Sequence, residues 1–300
     1  MWALQFSEYG EPDVITLGEA PEPHAGPGQI RVAVKAAGVN PFDWKTRSGF
    51  YAQGKQLEGT GYLGIDAAGV VDEVGEGVTG VSVGDEVFGK GRNTHAQYAV
   101  LDAWAAKHPS IDWAVAAAAG TVAETAERGL RLLGVGKGTR VFIDGGAGGV
   151  GSVATQLAVA RGATVIASGS EQNDGYLREI GATPVRYGPG VTDRVKAIGP
   201  VDAVFDVVGK TPIEDLVTIA PEPSQVVSIA NFGATAAGAR ATGGGADSRP
   251  MAALAEAAEL LKESKLVIKV QTFPFSRAVE AHRLSQEGHV RGKLVLIPEH

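Results

Sequence analysis

Hydrophobic residues in the first third of the chain recur in short runs that glycine and proline separate. Residues 29–37, 67–74 and 96–101 form three such apolar-rich runs, and residues 81–88 add a fourth with a turn inside it. Short strands with frequent Gly and Pro between them are typical of a partly closed β architecture. The pattern therefore predicts a β-rich domain at the start of the chain.

The pattern changes near residue 112. Residues 112–133 are rich in Ala and Leu and predict a helix that breaks around Gly120. Strand-like and helical runs then alternate, which indicates a parallel sheet with helices on both faces, the doubly wound α/β or Rossmann arrangement. The expected strands are 140–144, 164–167, 184–187, 201–208 and 224–229, and the first expected helices between them are 150–161 and 175–180.

The end of the chain returns to short elements. A Gly- and Ala-rich stretch at 232–250 is expected to be a mobile loop. A helix (251–264), a strand (267–273), a helix (276–286) and a strand (293–297) are predicted after it. Because both ends of the chain are rich in strands, we expect residues 1–120 and 266–300 to form one domain. Residues 121–265 would then form a second domain inserted between them.

The composition restricts the chemistry. The 300 residues include no cysteine, which excludes disulfides, thiolate nucleophiles and cysteine zinc ligands. The net charge of −7 and the absence of a dense Lys/Arg run argue against a nucleic-acid partner. No apolar stretch of about 18 residues is present, so no membrane-spanning helix is expected. Because the first residues alternate like a strand and not like a signal peptide, we expect a cytoplasmic protein.

The strongest motif is residues 144–151, which read Asp-Gly-Gly-Ala-Gly-Gly-Val-Gly. The third, fifth and eighth of these have the G-x-G-x-x-G spacing, directly after a predicted strand and at the start of a predicted helix. The first glycine permits the tight turn, the second lets the backbone approach a diphosphate, and the third lets helix and strand pack closely. The residues predicted to bind a dinucleotide are Gly146, Gly148, Gly149, Val150 and Gly151.

The end of the second strand in this domain indicates which dinucleotide is bound. NAD sites place an acidic residue there to hold the ribose 2′-hydroxyl, whereas residues 167–170 read Ala-Ser-Gly-Ser. Small and hydroxyl-bearing residues leave room for a 2′-phosphate and favour NADPH. Glu171 comes next, however, and would repel a phosphate, so NADH stays an alternative. The side chains expected at this end of the nucleotide are Ser168, Ser170, Asn173 and Tyr187.

Five segments, in order along the chain, resemble one superfamily. They are residues 37–45 (Ala-Gly-Val-Asn-Pro-Phe-Asp-Trp-Lys), 64–71 (Gly-Ile-Asp-Ala-Ala-Gly-Val-Val), 83–88 (Val-Gly-Asp-Glu-Val-Phe), 147–151 (Ala-Gly-Gly-Val-Gly) and 288–293 (Gly-His-Val-Arg-Gly-Lys). With them the chain resembles the medium-chain dehydrogenase/reductase superfamily, in its zinc-free quinone oxidoreductase-like branch. The resemblance covers almost the whole chain. It implies a GroES-like catalytic domain, completed by the C-terminal segment, around a Rossmann domain, and a homodimer.

The same resemblance argues against a catalytic zinc. The zinc-dependent relatives ligate the metal through a cysteine and a Gly-His-Glu segment, where this chain reads Gly64-Ile65-Asp66. Its six histidines, among them His289 and His300, show no paired ligand spacing. We therefore predict no metal ligand. Without a Lewis acid, an activated C=C bond or a quinone is a better substrate than a simple alcohol.

The resemblance also implies residues near the nicotinamide ring. In similar enzymes an Asn-x-x-Asp segment lines this region, and Asn40 and Asp43 occupy its positions here. Lys45 matches a lysine of the enone-reducing members, where an ammonium could polarise a carbonyl or steady an enolate. Tyr51 could hydrogen-bond to substrate or cofactor. Thr125 matches a family threonine near the ring.

Further residues are expected at the cofactor. Ala230, Asn231 and Phe232 follow the fifth strand and would contact the nicotinamide carboxamide through the backbone. Arg291 and Lys293 would approach the cofactor from the C-terminal segment. Simpler interpretations stay open for several of the candidates: a solvated loop lysine at position 45, a packing aromatic at position 51, and surface charge at position 291.

These expectations describe a zinc-independent, NADPH-dependent oxidoreductase that passes hydride to a small conjugated carbonyl or a quinone. The reaction of a strict quinone reductase or of a biosynthetic enoyl reductase would leave the same signs in the sequence, so both stay alternatives. A non-catalytic NADPH-binding sensor or scaffold is an alternative from another class. The expected partner is a small-molecule substrate, with no nucleic acid and no membrane.

Overall fold

A computed structural model describes residues 1–288 and 290–299 of the protein. Within these residues the chain divides into two compact units. Unit 1 comprises residues 1–121, 250–262 and the end of the chain from residue 268, and unit 2 comprises residues 122–249 and 263–267. The chain thus leaves its first unit, builds the second, and returns to complete the first.

Most observed elements coincide with predicted ones, although their ends differ by some residues. The strands are β1 (Trp2–Phe6), β2 (Thr16–Glu19), β3 (Ile30–Val39), β4 (Gly61–Tyr62), β5 (Asp66–Val74), β6 (Glu86–Arg92), β7 (Tyr98–Ala106), β8 (Arg140–Asp144), β9 (Thr164–Gly169), β10 (Ala182–Arg186), β11 (Ala203–Asp206), β12 (Val226–Ser228), β13 (Arg240–Ala241), β14 (Val270–Pro274) and β15 (Lys293–Ile297). The α-helices are α1 (Pro41–Arg47), α2 (Trp113–Leu132), α3 (Gly149–Ala160), α4 (Asp174–Glu179), α5 (Val191–Ile198), α6 (Ile213–Val217), α7 (Pro250–Lys262) and α8 (Ala278–Glu287).

Unit 1 is built on a six-stranded sheet with the order β14-β15-β3-β5-β6-β7. Because β7 also pairs with β3, the strands β3, β5, β6 and β7 close into a ring. Alternate side chains of these strands point inward, and Ile30, Val32 and Leu101 are fully buried there. A smaller sheet, β2-β1-β4, completes the unit. The predicted GroES-like fold is confirmed, and strands β14 and β15 extend its sheet beside β3.

Helix α2 runs without interruption, so the predicted break at Gly120 is wrong. A Cβ atom at Gly120 would lie 2.5 Å from Oδ1 of Asp66 and 2.9 Å from the carbonyl oxygen of Gly89. The glycine therefore lets the helix pack closely on the strands of unit 1, and it does not end the helix. Residues of α2 up to Thr121 belong to unit 1, and the later ones belong to unit 2.

Helix α7 groups with unit 1, whereas the sequence placed these residues in the inserted domain. Its Met251 sulfur accepts a hydrogen bond from the backbone N–H of Trp104, on β7, at 3.3 Å. Leu254 and Leu261 on the same helix are buried. An apolar stripe shows that a helix packs against something, but not which sheet it packs against, and this is why the boundary differs.

Unit 2 is an open sheet of six parallel strands with the order β10-β9-β8-β11-β12-β13. The central strands are buried on both faces, with Phe142, Ile166 and Val204 inaccessible to solvent. The strand order reverses between β8 and β11, and ligands of such sheets bind beyond the carboxyl ends of the strands at that point. The predicted Rossmann arrangement is confirmed. It identifies the carboxyl ends of β8 and β11 as the candidate site.

The Gly- and Ala-rich segment 232–250 is more ordered than predicted. It contributes β13, the sixth strand of the sheet, and the backbone N–H of Thr242 donates to the carbonyl oxygen of Ser228 at 3.0 Å. Arg128, buried on α2, donates to the Thr242 hydroxyl at 2.8 Å and to Glu124 at 2.9 Å. Glu124 also accepts a hydrogen bond from Ser248 at 2.6 Å. These contacts hold the segment against α2 within unit 2.

Candidate functional site

The glycine turn of unit 2 joins the end of β8 to the start of α3. Gly145 has a φ angle of +98°, a left-handed conformation that favours glycine. A Cβ atom at Gly146 would lie 2.5 Å from the Cβ of Ala167 on β9. At Gly151 it would lie 2.1 Å from the carbonyl oxygen of Gly145. These three glycines are therefore required by the path of the chain itself.

Gly148 differs from the other glycines of the turn. Its backbone is extended, with φ −76° and ψ 178°, and an added Cβ would meet nothing closer than 3.7 Å. No steric contact therefore requires a glycine at this position. A backbone without a side chain does, however, let a ligand approach closely.

Helix α3 begins at this turn without a side-chain cap, because its N-cap residue is Gly148. Gly149 and Val150 in its first turn are partly exposed. The first N–H groups of a helix lack partners inside the helix, and they form its positive end. Together with the open space at Gly148, this arrangement fits the diphosphate of a dinucleotide, which would bind to these backbone N–H groups.

Ser168 holds the turn from behind. Its hydroxyl donates to Asp144 and accepts a hydrogen bond from the backbone N–H of Gly145 at 2.8 Å. Ser168 and Asp144 are both buried, and burial raises the pKa of the Asp144 carboxyl. The sequence proposed Ser168 as a nucleotide contact. In the structure its hydroxyl links Asp144 to the backbone of Gly145 and so fixes the bend of the glycine turn.

A second Asp–Ser pair organises the neighbouring strand ends. The Ser228 hydroxyl donates to Asp206 at 2.6 Å, and Asp206 accepts a hydrogen bond from the backbone N–H of Gly209 at 2.7 Å. The backbone N–H groups of Ala230 and Asn231 donate to Ser228 at 3.2 Å and 2.8 Å. The segment predicted to contact the carboxamide is thus tied to β12 through its N–H groups. Phe232, which follows it, is exposed.

The carboxyl end of β9 carries the side chains predicted for the 2′-phosphate. Asn173 donates to the Ser170 hydroxyl at 3.1 Å, and both residues are partly exposed. Tyr187 is exposed at the end of β10. Sequence reasoning missed Arg186, which pairs in register with Gly169 of β9. A basic residue at the end of the strand beside β9 was the signal that could have identified it.

Two carboxylates hold Arg186 at this place. Its guanidinium lies 3.0 Å from Asp174 and 3.4 Å from Glu171. Glu171 was the residue that argued against a phosphate, and its charge is compensated by Arg186. A guanidinium paired with two carboxylates therefore lies at the carboxyl end of the strand beside β9.

In unit 1, Asn40 and Asp43 form the start of α1. A carboxylate oxygen of Asp43 accepts a hydrogen bond from the backbone N–H of Asn40 at 2.7 Å, and the other accepts one from Gly64 at 3.2 Å. Burial raises the pKa of Asp43 to about 7, against the effect of the Asn40 hydrogen bond. His95 lies 4.0 Å from Asp43 and donates toward the carbonyl oxygen of Gly38, and burial lowers its pKa to about 4. The imidazole is therefore neutral near pH 7.

The side chain of Asn40 points into a buried polar network. Its Nδ2 donates to Asp66 at 2.8 Å, and its Oδ1 accepts a hydrogen bond from Nζ of Lys293 at 2.6 Å. Lys293 also donates to the carbonyl oxygen of Val39 at 2.8 Å. The sequence assigned Asn40 to catalysis and Lys293 to the cofactor. The structure brings these two residues together in the interior of unit 1.

Lys45 and Tyr51 lie beside exposed aromatic rings on and after α1. The ring centroids of Phe42 and Tyr51 are 5.5 Å apart, and those of Phe50 and Tyr51 are 5.2 Å apart. Nζ of Lys45 lies 5.5 Å from the ring centroid of Phe50. About half of the Phe42, Phe50 and Tyr51 surfaces is exposed, at 46%, 64% and 49%. Partial burial raises the pKa of Tyr51, so its hydroxyl stays protonated near pH 7.

The remaining predicted residues lie in different surroundings. Thr125 is buried on α2 in unit 2, and its hydroxyl lies 3.5 Å from Arg128, at the limit of a hydrogen bond. Arg291 is exposed on the turn before β15. Neither placement tests the roles that the resemblance implied.

No group of three or more His, Asp or Glu side chains could hold a metal ion in residues 1–288 and 290–299. His289 and His300, which were examined as metal ligands in the sequence, lie outside these residues. Asp66, at the position of the zinc-binding segment of the zinc-dependent relatives, is hydrogen-bonded to Asn40 and Thr121. None of the helices in the same described ranges has the length and apolar character needed to span a bilayer.

Two family models match the chain. An alcohol dehydrogenase GroES-like domain covers residues 26–127, and a zinc-binding dehydrogenase model covers residues 180–296. The matched regions correspond to the ring of strands in unit 1, and to the later strands of unit 2 with the end of the chain. The fold and the glycine turn therefore define a dehydrogenase or reductase with a GroES-like domain.

Individual relatives narrow this class. The chloroplastic NADPH-dependent alkenal/one oxidoreductase of Arabidopsis thaliana is 30% identical over 99% of this chain and 80% of its own length. A protein of the spectinabilin polyketide synthase system of Streptomyces orinoci is 32% identical, and this chain spans 14% of its length. The solved quinone oxidoreductase of Coxiella burnetii is 34% identical, with a TM-score of 0.85 over 99% of both chains.

The chain belongs to the medium-chain dehydrogenase/reductase superfamily, in its zinc-free quinone oxidoreductase-like branch. It is an oxidoreductase by this membership.

Proposed function

We propose that the protein takes hydride from NADPH and passes it to a small enone or quinone without a catalytic metal. The observation that carries the proposal is Gly148, whose missing side chain leaves open space at the uncapped start of α3. A diphosphate bound there would accept hydrogen bonds from the N–H groups of Gly149 and Val150. The name of the Arabidopsis relative, an NADPH-dependent alkenal/one oxidoreductase, supports both the cofactor and the substrate class.

The bound dinucleotide would supply the hydride, and the protein would supply binding and orientation. Ser168 and Asp144 hold the turn in the shape that receives the diphosphate. The segment of Ala230 and Asn231, fixed by Ser228, would bind the carboxamide through its remaining backbone groups. Positioning of this kind supplies much of the rate of a hydride transfer.

We further propose that NADPH is preferred over NADH. Ser170, Asn173 and Tyr187 would donate hydrogen bonds to the 2′-phosphate, and Arg186 would supply the positive charge. The pairing of Arg186 with Asp174 and Glu171 keeps the guanidinium at the end of β9.

Replacement of Arg186 by alanine should lower the affinity for NADPH about tenfold and leave the affinity for NADH nearly unchanged, because a charge-assisted hydrogen bond to the phosphate is lost. Titration of the fluorescence of each reduced nucleotide measures both dissociation constants. Arg178→Ala is the matched control, since Arg178 is also an arginine beside Asp174, at 3.8 Å, but is more exposed. If the ratio of the NADPH to the NADH dissociation constant were the same in the two variants, the role of Arg186 would be contradicted.

The acceptor would lie against the aromatic group of α1. Exposed rings of Phe42, Phe50 and Tyr51 provide a surface for a planar conjugated molecule. The ammonium of Lys45 lies at the edge of this surface and would stabilise the negative charge that develops on the acceptor oxygen. The Tyr51 hydroxyl is a second donor. Asn40 and Asp43 would act by holding the start of the helix.

Replacement of Lys45 by methionine should reduce kcat/KM for an enone or quinone at least about tenfold, because an oxyanion donor is lost. The dissociation constant for NADPH should stay within about twofold. Lys55→Met is the control, because Lys55 is exposed on the turn that follows α1. Steady-state assays of NADPH oxidation measure both variants. An equal effect of the two substitutions would assign Lys45 to the solvated surface.

The choice between enone and quinone, and between an enzyme and a non-catalytic NADPH-binding protein, is open to a direct assay. Oxidation of NADPH is followed with matched panels of enones, quinones and aldehydes. Turnover with enones, or with quinones, at rates above those with aldehydes supports the proposed function. Tight NADPH binding with no turnover across all three panels would favour a sensor or scaffold.

A further inference from the structure

Three strands of unit 1 meet at one buried corner. Strand β3 ends at Val39, while β5 and β15 begin at Asp66 and Lys293, and β3 is the strand between them. Helix α1 starts directly after β3, with Asn40 as its N-cap residue. The corner therefore fixes where α1 leaves the sheet.

The Asn40 amide at this corner has one favourable orientation. Its oxygen faces the ammonium of Lys293 at 2.6 Å, and its nitrogen faces the carboxylate of Asp66 at 2.8 Å. The flipped amide would place an NH₂ group against the ammonium and an oxygen against the carboxylate. Both contacts would then be repulsive, since an ammonium only donates and a carboxylate only accepts.

The surroundings are shaped for Asp66. Both the backbone N–H and the hydroxyl of Thr121 donate to its Oδ1, at 2.7 Å and 2.6 Å. A Cβ atom at Gly38 would lie 3.2 Å from Oδ2 of Asp66, and one at Gly120 would lie 2.5 Å from Oδ1. The two glycines thus leave space for the carboxylate, which is fully buried and hydrogen-bonded at both oxygens.

Helix α1 depends on this corner for its position. It contains 7 residues, and helices of that length are unstable in water without tertiary contacts. Lys293 holds both residues that precede it, through the carbonyl oxygen of Val39 at 2.8 Å and the Asn40 side chain. Lys293 is 4% exposed, so its ammonium is shielded from direct contact with a bound acceptor. Any effect of Lys293 on the acceptor would pass through the side chain of Asn40.

We propose that Lys293 is a positioning residue, which orients Asn40 and the start of α1 so that the helix presents Lys45 to the acceptor. This inference rests on the proposed function, because the acceptor is assigned there. It differs from the sequence-based expectation that Lys293 approaches the cofactor.

The test compares Lys293→Met with Lys107→Met in the full chain. Lys107 is the matched control, because it is another buried lysine of unit 1 that pairs with a carboxylate, Glu86, at 2.8 Å. Lys293→Met should lower kcat/KM for the acceptor at least about tenfold, mainly through kcat, with the NADPH dissociation constant within about twofold of the unmodified protein. Lys107→Met should leave kcat/KM and the NADPH dissociation constant within about twofold of the unmodified protein. The melting temperature is expected to fall in both variants.

A second measurement reads position directly, without turnover. Amide hydrogen exchange of Asn40, of residues 42–47 and of Gly64 should become at least about tenfold faster in Lys293→Met and should not change in Lys107→Met. Lys293→Arg, which keeps a cation and several donors, should recover part of the protection. The exchange measurement tests the role of Lys293 even if the protein reduces no acceptor. In that case the proposed function fails, and the exchange rates alone decide whether Lys293 positions α1.

The outcomes separate the possibilities. A loss of kcat/KM together with faster exchange in Lys293→Met supports the proposal. It is also supported if Asn40→Ala shows the same loss and the variant with both substitutions loses no more than either one. Should Lys293→Met fail to fold, Asn40→Ala alone provides the test, because it removes the held side chain and leaves the bonds of Asp66 to Thr121. Unchanged exchange at Asn40 and at residues 42–47, or a tenfold weaker affinity for NADPH with normal kcat, would overturn it.

Discussion

Replacement of Gly148 by valine should reduce the affinity for NADPH at least about 100-fold while unit 2 stays folded. The new side chain would occupy the space through which the diphosphate reaches the start of α3. The loss of two hydrogen bonds to a charged group, each worth about 1.5–3 kcal/mol, corresponds to that factor or more. The cost in stability should be about 1 kcal/mol, because valine is a poorer N-cap residue than glycine, while an added Cβ on this extended backbone meets no atom closer than 3.7 Å.

Gly151→Ala is the contrasting variant in the same turn. Its Cβ would lie 2.1 Å from the carbonyl oxygen of Gly145, so the backbone must move. We expect a loss of about 1–3 kcal/mol in the free energy of unfolding in addition to weaker binding. Thermal denaturation and titration of NADPH fluorescence measure both quantities. A Gly148→Val variant that binds NADPH normally would show that the diphosphate does not bind at this turn.

Replacement of Asp66 by alanine should destabilise unit 1 by about 3–5 kcal/mol, because it breaks a buried pair and leaves the buried Lys293 ammonium with Asp43 as its remaining counter-charge. Lys293 lies 3.9 Å from Asp66, and burial already lowers the pKa of Lys293. Three hydrogen-bond donors, one on Asn40 and two on Thr121, would also lose their acceptor.

Tryptophan fluorescence during urea denaturation measures this effect for unit 1 alone, because the four tryptophans of the chain all lie there. Asp72→Ala is the control, since Asp72 also pairs with a cation, Arg31 at 2.9 Å, but its side chain is 28% exposed. The control should lose less than about 1 kcal/mol. Similar midpoints for the two variants would contradict the description of Asp66 as the centre of a buried network. The four tryptophans whose fluorescence reports on unit 1 are Trp2, Trp44, Trp104 and Trp113.

Local sequence patterns predicted the fold because both architectures depend on short-range periodicity. Apolar runs and glycine punctuation indicated the strands of unit 1, and the alternation after residue 139 indicated the parallel sheet of unit 2. The errors arose where a local signal has two physical causes. Gly120 allows close packing against Asp66 and does not end a helix, and β13 lies inside a segment whose composition is typical of a loop.

The glycine turn was predictable for the same reason, since its residues are adjacent in the chain. The polar partners were not, because each depends on residues that are distant in sequence. Lys293 and Asn40 are 253 residues apart, and Ser168 reaches Asp144 across 24 residues. The identity of Lys293 suggested a charge for the cofactor, whereas its burial and its two acceptors became visible only in the folded chain.

The measurement that tests the central claim most directly is a calorimetric titration of the unmodified protein with NADPH and with NADH. We expect heat of binding that saturates at one nucleotide per chain, with a lower dissociation constant for NADPH. The absence of heat with both nucleotides, together with a melting temperature that neither one raises at millimolar concentration, would contradict the assignment of residues 145–151 as a dinucleotide site.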